Sequence, residues 1–158
     1  MTICVREKKC LLGSVTNEKV SLSDVGRVVR ETWLRLPDRF AGIELHAFVV
    51  MPNHVHGLLA IVEAGLAPPG VRTITDAAAG FGAKRGLGDI VCAFKSLSVR
   101  AVQRQMGMSG ASLWQRGYYE HVVRDGEDMK NIRRYILENP FRWEAKVRVE
   151  GRRSLGGG

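Results

Sequence analysis

The 158-residue chain holds only three cysteines, Cys4, Cys10 and Cys92, and none of them forms a C-x-x-C pair. An odd number without paired spacing argues against a disulfide framework or a zinc ribbon and suits a reducing compartment. All three read as small buried apolar residues. No apolar run approaches ~18 residues, so neither a membrane span nor a membrane partner is expected. No secretory leader is expected either, and the expected location is the cytoplasm. Tyrosine is scarce: Tyr118, Tyr119 and Tyr135 are the whole supply. Acidic residues fall short in one half. Residues 1–83 carry nine basic and eight acidic groups, whereas residues 84–158 carry fifteen and eight. The second half thus holds nearly all of the +8 net charge. A one-sided basic excess suits a polyanion, and nucleic acid is the commonest. With 45% apolar and 25% charged residues the composition is that of a globular protein, and the length suits one domain.

The stretch from Ala47 to Val62 organises the rest. It reads as two apolar runs joined by a turn at Pro52-Asn53. Val, Ile and Phe on both sides fit a pleated sheet. Strand side chains alternate faces, so His54 and His56 share one face and Val55 takes the other. Two imidazoles placed so can share one cation, or they can be satisfied by backbone carbonyls. The pair alone does not decide between these.

The remaining elements follow in order. Thr2 to Arg6 reads as a strand. Leu11 to Leu22 reads as an edge hairpin turning at Thr16-Asn17-Glu18-Lys19. A helix capped at Ser21 carries Val25, Val28, Val29, Thr32 and Leu36 at helical spacing and ends before Pro37. Ile43 to Met51 and His54 to Val62 form the central hairpin, with His46 structural. Residues 63–86 are rich in Gly, Ala and Pro and read as a flexible loop within the domain. Leu87 to Gln105 reads as a helix with its apolar stripe on Ile90, Val91, Phe94, Leu97 and Ala101. Lys95 flanks that stripe, and Arg100 lies on the polar face. Trp114-Gln115-Arg116 falls on a turn, where an indole beside a guanidinium suits base stacking and phosphate binding, or else the indole plugs the core edge. Tyr118 to Arg124 reads as a strand that includes His121. The last helix spans about Glu127 to Asn139, buries Met129, Ile132 and Ile136, and stops at Pro140. Tyr135 and Asn139 lie one turn apart on a flank of that helix. The domain is expected to span residues 1–145, with 146–158 as a mobile basic tail.

Three blocks carry a resemblance: His54-Val55-His56 inside an apolar hairpin, Trp114-Gln115-Arg116-Gly117-Tyr118-Tyr119-Glu120-His121, and Arg134-Tyr135-Ile136-Leu137-Glu138-Asn139-Pro140. In this order and spacing the chain resembles the REP-associated tyrosine transposases. These are single-tyrosine members of the HUH (histidine–hydrophobic–histidine) enzymes of bacteria. The resemblance runs from Thr2 to about Trp143. It implies an α+β fold, with a ferredoxin-like antiparallel sheet of four or five strands and helices packed on it. It implies that Tyr135 is the nucleophile and that His54 and His56 bind a divalent ion, with Asn139 completing the site. It implies a single-stranded DNA nuclease and strand transferase acting on REP-type hairpins through a 5′-phosphotyrosine.

Imidazole combined with an amide oxygen accepts Mg²⁺, with Mn²⁺ expected to substitute. The expected partner is single-stranded or hairpin DNA, contacted by Lys95, Arg100, Trp114, Arg116 and His121; a homodimer stays open. On DNA the protein is expected in the nucleoid. Three rival readings are an HUH nickase of replication or conjugation, a water-using metal phosphodiesterase, and a domesticated DNA-binding protein without catalysis. Loss of activity on removing Tyr135 would separate the tyrosine enzymes from the water-using one.

Overall fold

In the computed structural model the described residues are 1–62, 86–107 and 112–147, together with the helical path of residues 148–155. The loop expected at 63–86 therefore lies, apart from Gly86, outside the described residues.

The central hairpin forms as its alternation predicts. β4 (Ile43–Met51) and β5 (His54–Ile61) pair antiparallel from Ile43↔Ile61 to Met51↔His54. The register slips between Leu45 and Ala47, which leaves His46 exposed at a bulge. The N-terminal segment fixes the Pro52-Asn53 turn from outside. Leu12 N–H donates to Pro52 O at 2.9 Å, Val5 N–H to Asn53 O at 2.8 Å, and Asn53 Nδ2 to Lys8 O at 3.1 Å.

β1 (Thr2–Cys4) pairs antiparallel with β5, setting Thr2 opposite His56 and Cys4 opposite His54. Among the described residues the main sheet has three strands in the order β1-β5-β4, and β2 (Gly13–Thr16) with β3 (Lys19–Leu22) forms a separate hairpin. The strand expected at Tyr118 to Arg124 does not form as such. The segment touches β1 only through isolated bridges, Thr2↔Tyr119 and Val5↔Trp114. Four residues then lie between the bridges on one side and two on the other, so no continuous ladder can run. Gly117, at φ 72°, takes up part of the excess. Counting this flank, the order is the 4-1-3-2 of a ferredoxin-like split βαβ sheet.

β5 has two unlike faces. Val55 and Gly57 look toward α1 (Asp24–Leu34) and α3 (Leu87–Met106), and the larger core lies there. Trp33 is fully buried in it, stacked on Phe48 at 4.6 Å and edge-on to Phe94 at 5.5 Å. Gly57 is needed beneath it, because a Cβ there would stand 2.5 Å from the indole. The other face carries His54, His56 and Leu58. α4 (Gly126–Leu137) packs on it through Ile136, Met129 and Ile132, against Ala47, Val49 and Leu58. Burying an isoleucine such as Ile136 stabilises this docking by roughly 1.5–3 kcal/mol.

Three helix boundaries differ from the pattern reading. Ser23, not Ser21, caps α1, its Oγ accepting from Gly26 N–H at 3.0 Å, because β3 pairing carries Ser21 into the hairpin. A short α2 (Leu36–Arg39) follows α1, with Pro37 in its first turn. Pro140 does not end the helical region. After Glu138 a further helix, α5 (Asn139–Leu155), begins at once, and proline is accepted in a first turn because its missing N–H has no partner there anyway. Residues 146–155, expected as a tail, thus continue α5.

Candidate active site

His54 and His56 meet at the β1 end of β5. Their rings stand nearly perpendicular with centroids 4.7 Å apart, and their Nε2 atoms face each other at 3.1 Å. Each Nδ1 has an oxygen partner. His54 Nδ1 lies 2.7 Å from Asn53 Oδ1, and an amide oxygen only accepts, so this nitrogen carries the proton and leaves Nε2 with its lone pair. His56 Nδ1 lies 2.7 Å from Thr2 Oγ1, a hydroxyl that can donate or accept. When Thr2 accepts, both Nε2 lone pairs point into one gap.

Burial keeps both rings neutral. His56 is 7% exposed, and burial, followed by the neighbouring His54, pushes its pKa down to about 3. His54 is lowered as well, chiefly by burial. Neutral imidazole is the form that ligates a metal.

Asn139 opens α5 rather than closing α4. It is buried, and its side chain lies close enough to both histidines to offset part of the lowering that burial imposes on them. Tyr135, on α4, sets its ring edge-to-face against His56 with centroids 5.4 Å apart, while 45% of the residue stays exposed. Tyr119 sits at the bridged flank beyond β1 and is 70% exposed; Tyr118 is half-buried beside it.

These residues fit a divalent ion. Two nitrogens 3.1 Å apart can each stand about 2.1 Å from one shared point, the usual length of a metal–nitrogen bond. Their Nδ1 partners orient them as outer partners orient metal-bound histidines. Among the described residues no three His, Cys, Asp or Glu side chains cluster, so a third protein donor would be the Asn139 amide oxygen.

The five expected DNA contacts divide. Arg100 and Arg116 are exposed, although Arg100 Nε also lies 3.3 Å from Ser96 O of its own helix. His121 is exposed and lies 2.9 Å from an oxygen of Asp128, near the N-terminus of α4. Trp114 is a correction. Its ring is buried against Phe94 and its Nε1 donates to Ser98 Oγ at 2.9 Å, so it fills the core edge and offers no face to a base. Lys95 is largely committed too. Its Nζ donates to Gln115 O at 2.8 Å and Gly117 O at 2.6 Å, closing the bulge between the two bridges. Around that bulge Cys4, Gln115, Arg116, Gly117, Tyr118 and Tyr119 line an open pocket of about 220 Å³.

Sequence reasoning missed Thr2, Asn53, Arg142 and Trp143. Thr2 reaches His56 through strand register, which the pattern does not encode. Arg142 and Trp143 follow Asn139 by three and four residues, so all three share one side of α5. Trp143 packs on His54, centroids 5.8 Å apart, and the Arg142 guanidinium stands 5.4 Å from the centre of the Tyr135 ring.

A split βαβ sheet with paired histidines on its inner strand defines the fold class of the HUH transposases. A solved structure of a REP-associated tyrosine transposase bound to a REP hairpin shares this fold, with a TM-score of 0.55 and 18% identity over 89% of this chain. The present chain spans 64% of that one. No family model matches. An uncharacterized protein of Haemophilus influenzae is 33% identical over 146 residues, which cover 91% of this chain and 80% of that protein. The chain belongs to that protein's family. Among the described residues no helix is long and apolar enough to cross a membrane.

Proposed function

We propose that this protein is a single-stranded DNA nicking and strand-transfer enzyme of the tyrosine transposase type. The observation that carries the reading is the placement of an exposed tyrosine against one of two histidines whose Nε2 atoms face each other. Tyr135 is the nucleophile. Its phenol oxygen bonds to phosphorus while the phosphorus–O3′ bond breaks, and the proton lost by the phenol is balanced by one gained at the departing 3′ oxygen. The products are a 5′-phosphotyrosyl strand and a free 3′ hydroxyl. Attack by another 3′ hydroxyl reverses the step, so strands are exchanged without an external energy source.

His54, His56 and Asn139 hold Mg²⁺, with Mn²⁺ able to replace it. The chemistry supplied at such a donor set is positive charge against the phosphate oxygens. The neutral histidines bind without adding charge repulsion, and Thr2 and Asn53 fix their ring orientation. Asn139 ties the helix pair to the histidine strand, which keeps Tyr135 beside His56. Exposed Arg100 and Arg116 contribute phosphate contacts, and Lys95 acts through the 115–117 bulge.

The substrate is hairpin DNA with an adjoining single strand; the transposase of the same fold is bound to a REP hairpin. The test is a labelled hairpin oligonucleotide incubated with protein and Mn²⁺ and resolved on a denaturing gel. Wild type is expected to form a covalent adduct that mass spectrometry maps to Tyr135. Tyr135→Phe is expected to bind DNA and form none. An adduct on Tyr118 or Tyr119, or one formed by the Phe variant, refutes the assignment.

A further inference from the structure

Arg142 has no part in holding an ion, yet α5 delivers it to the nucleophile. Its guanidinium lies over the Tyr135 ring, 5.4 Å from the centroid, so that ring has His56 at one contact and Arg142 at another. Among the described residues the other interaction of the guanidinium is a single contact, Nη2 to Glu138 Oε2 at 3.3 Å. Both side chains of that pair are about half exposed, and a pair of this kind holds weakly. A guanidinium has five N–H groups arranged as a planar fork. One long contact leaves most of that fork available at the face where Tyr135 is exposed.

A phosphodiester under attack by a phenol has two non-bridging oxygens, and the fork matches such a pair as an ammonium does not. Glu138 occupies one arm through a carboxylate oxygen, the nearest chemical equivalent of a phosphate oxygen among protein groups. Its place over the phenol ring keeps the guanidinium beside Tyr135 and adds cation–π attraction. Arg100 and Arg116, by contrast, lie on α3 and the bridged flank, not on the helix pair that carries Tyr135.

We propose that Arg142 is the phosphate-binding residue of the site: its guanidinium leaves Glu138 and grips the two non-bridging oxygens of the phosphate that Tyr135 attacks. This rests on the proposed tyrosine chemistry. No atom is transferred to or from Arg142; it binds, orients and opposes the charge of the phosphate.

The experiment measures adduct formation on the hairpin substrate in single turnover for wild type, Arg142→Ala and Arg142→Lys, together with equilibrium binding over a range of salt. Arg142→Ala is expected to slow adduct formation about 10²-fold, as loss of one donor to a charged transition state does elsewhere. Arg142→Lys should recover part of the rate, and added guanidinium ion should partly rescue the alanine variant, which a merely structural role would not allow. A rate within twofold of wild type overturns the proposal, and so does a loss that neither lysine nor guanidinium restores. If wild type forms no adduct, the tyrosine chemistry fails on its own, and the contact is judged by binding. The logarithmic salt slope should then fall by about 0.7 in Arg142→Ala, as for one lost contact to a single strand; an unchanged slope overturns the contact.

Discussion

Alanine at Gly57 would couple the core to the site in a way that can be measured. Its Cβ would stand 2.5 Å from Cη2 and 2.7 Å from Cζ2 of Trp33. Carbon atoms rest about 3.5–4.0 Å apart, so either strand β5 or the indole must give by roughly 1 Å. The indole has little room, being fully buried between Phe48 and Phe94. Overpacking of this kind costs about 1–3 kcal/mol. At about 2–4 °C per kcal/mol for a chain of this size, Tm should fall by about 2–12 °C. The strand is expected to take up most of the displacement, and His56 is the next residue along it. Adduct formation should therefore drop well beyond what the small loss of folded protein explains. Trp33→Phe removes the ring atoms that the Cβ meets, along with a buried indole N–H that has no partner among the described residues. In the double variant the two costs should fall short of their sum by at least about 1 kcal/mol, as contacting residues do. Thermal unfolding by circular dichroism and the adduct gel read both effects. Strict additivity, or a Gly57→Ala protein with wild-type Tm and activity, would refute the close packing of Trp33 on β5.

Two other outcomes follow from the site and its flank. His54→Ala and His56→Ala should each abolish cleavage while leaving most DNA affinity, and calorimetry with Mn²⁺ should show the binding heat lost in both; undiminished cleavage by the metal-free double variant would remove the ion from the reaction. Lys95→Met should cost about 1–3 kcal/mol, because two backbone carbonyls lose a charged donor, and amide exchange at residues 115–118 should quicken; unchanged stability and exchange would show that the bulge holds itself.

The central hairpin could be read from sequence because its signals are local. Alternation, β-branched residues and Pro52-Asn53 all point the same way, and period two alone places His54 and His56 on one face. Tyr135 and Asn139 could be read as neighbours because helical spacing holds nearly true across Glu138, whose backbone is close to helical. The missed features depend on contacts between distant segments. Nothing near Thr2 says that it will pair with His56. Trp114 beside Arg116 suits stacking equally well whether the indole faces a base or Phe94, and only the α3 packing decides. Tyr118 to Arg124 has strand composition, but its partner β1 is three residues long and the intervening bulge breaks the ladder. Pro140 is a local signal with two meanings, stop or first turn, and choosing the first left Arg142 outside any helix.

The joint at Glu138 can also be considered as a matter of angular phase. Tyr135 belongs to α4, while Asn139, Arg142 and Trp143 belong to α5, and one residue separates the two helices. Each helical residue turns the chain by about 100°. One residue inserted or deleted there would swing the α5 group around its axis, away from the histidines, while Tyr135 stayed on the sheet. The joint can therefore vary in side chain but not in length, and the 135–139 interval acts as a gauge that keeps two helices pointed at one pair of histidines.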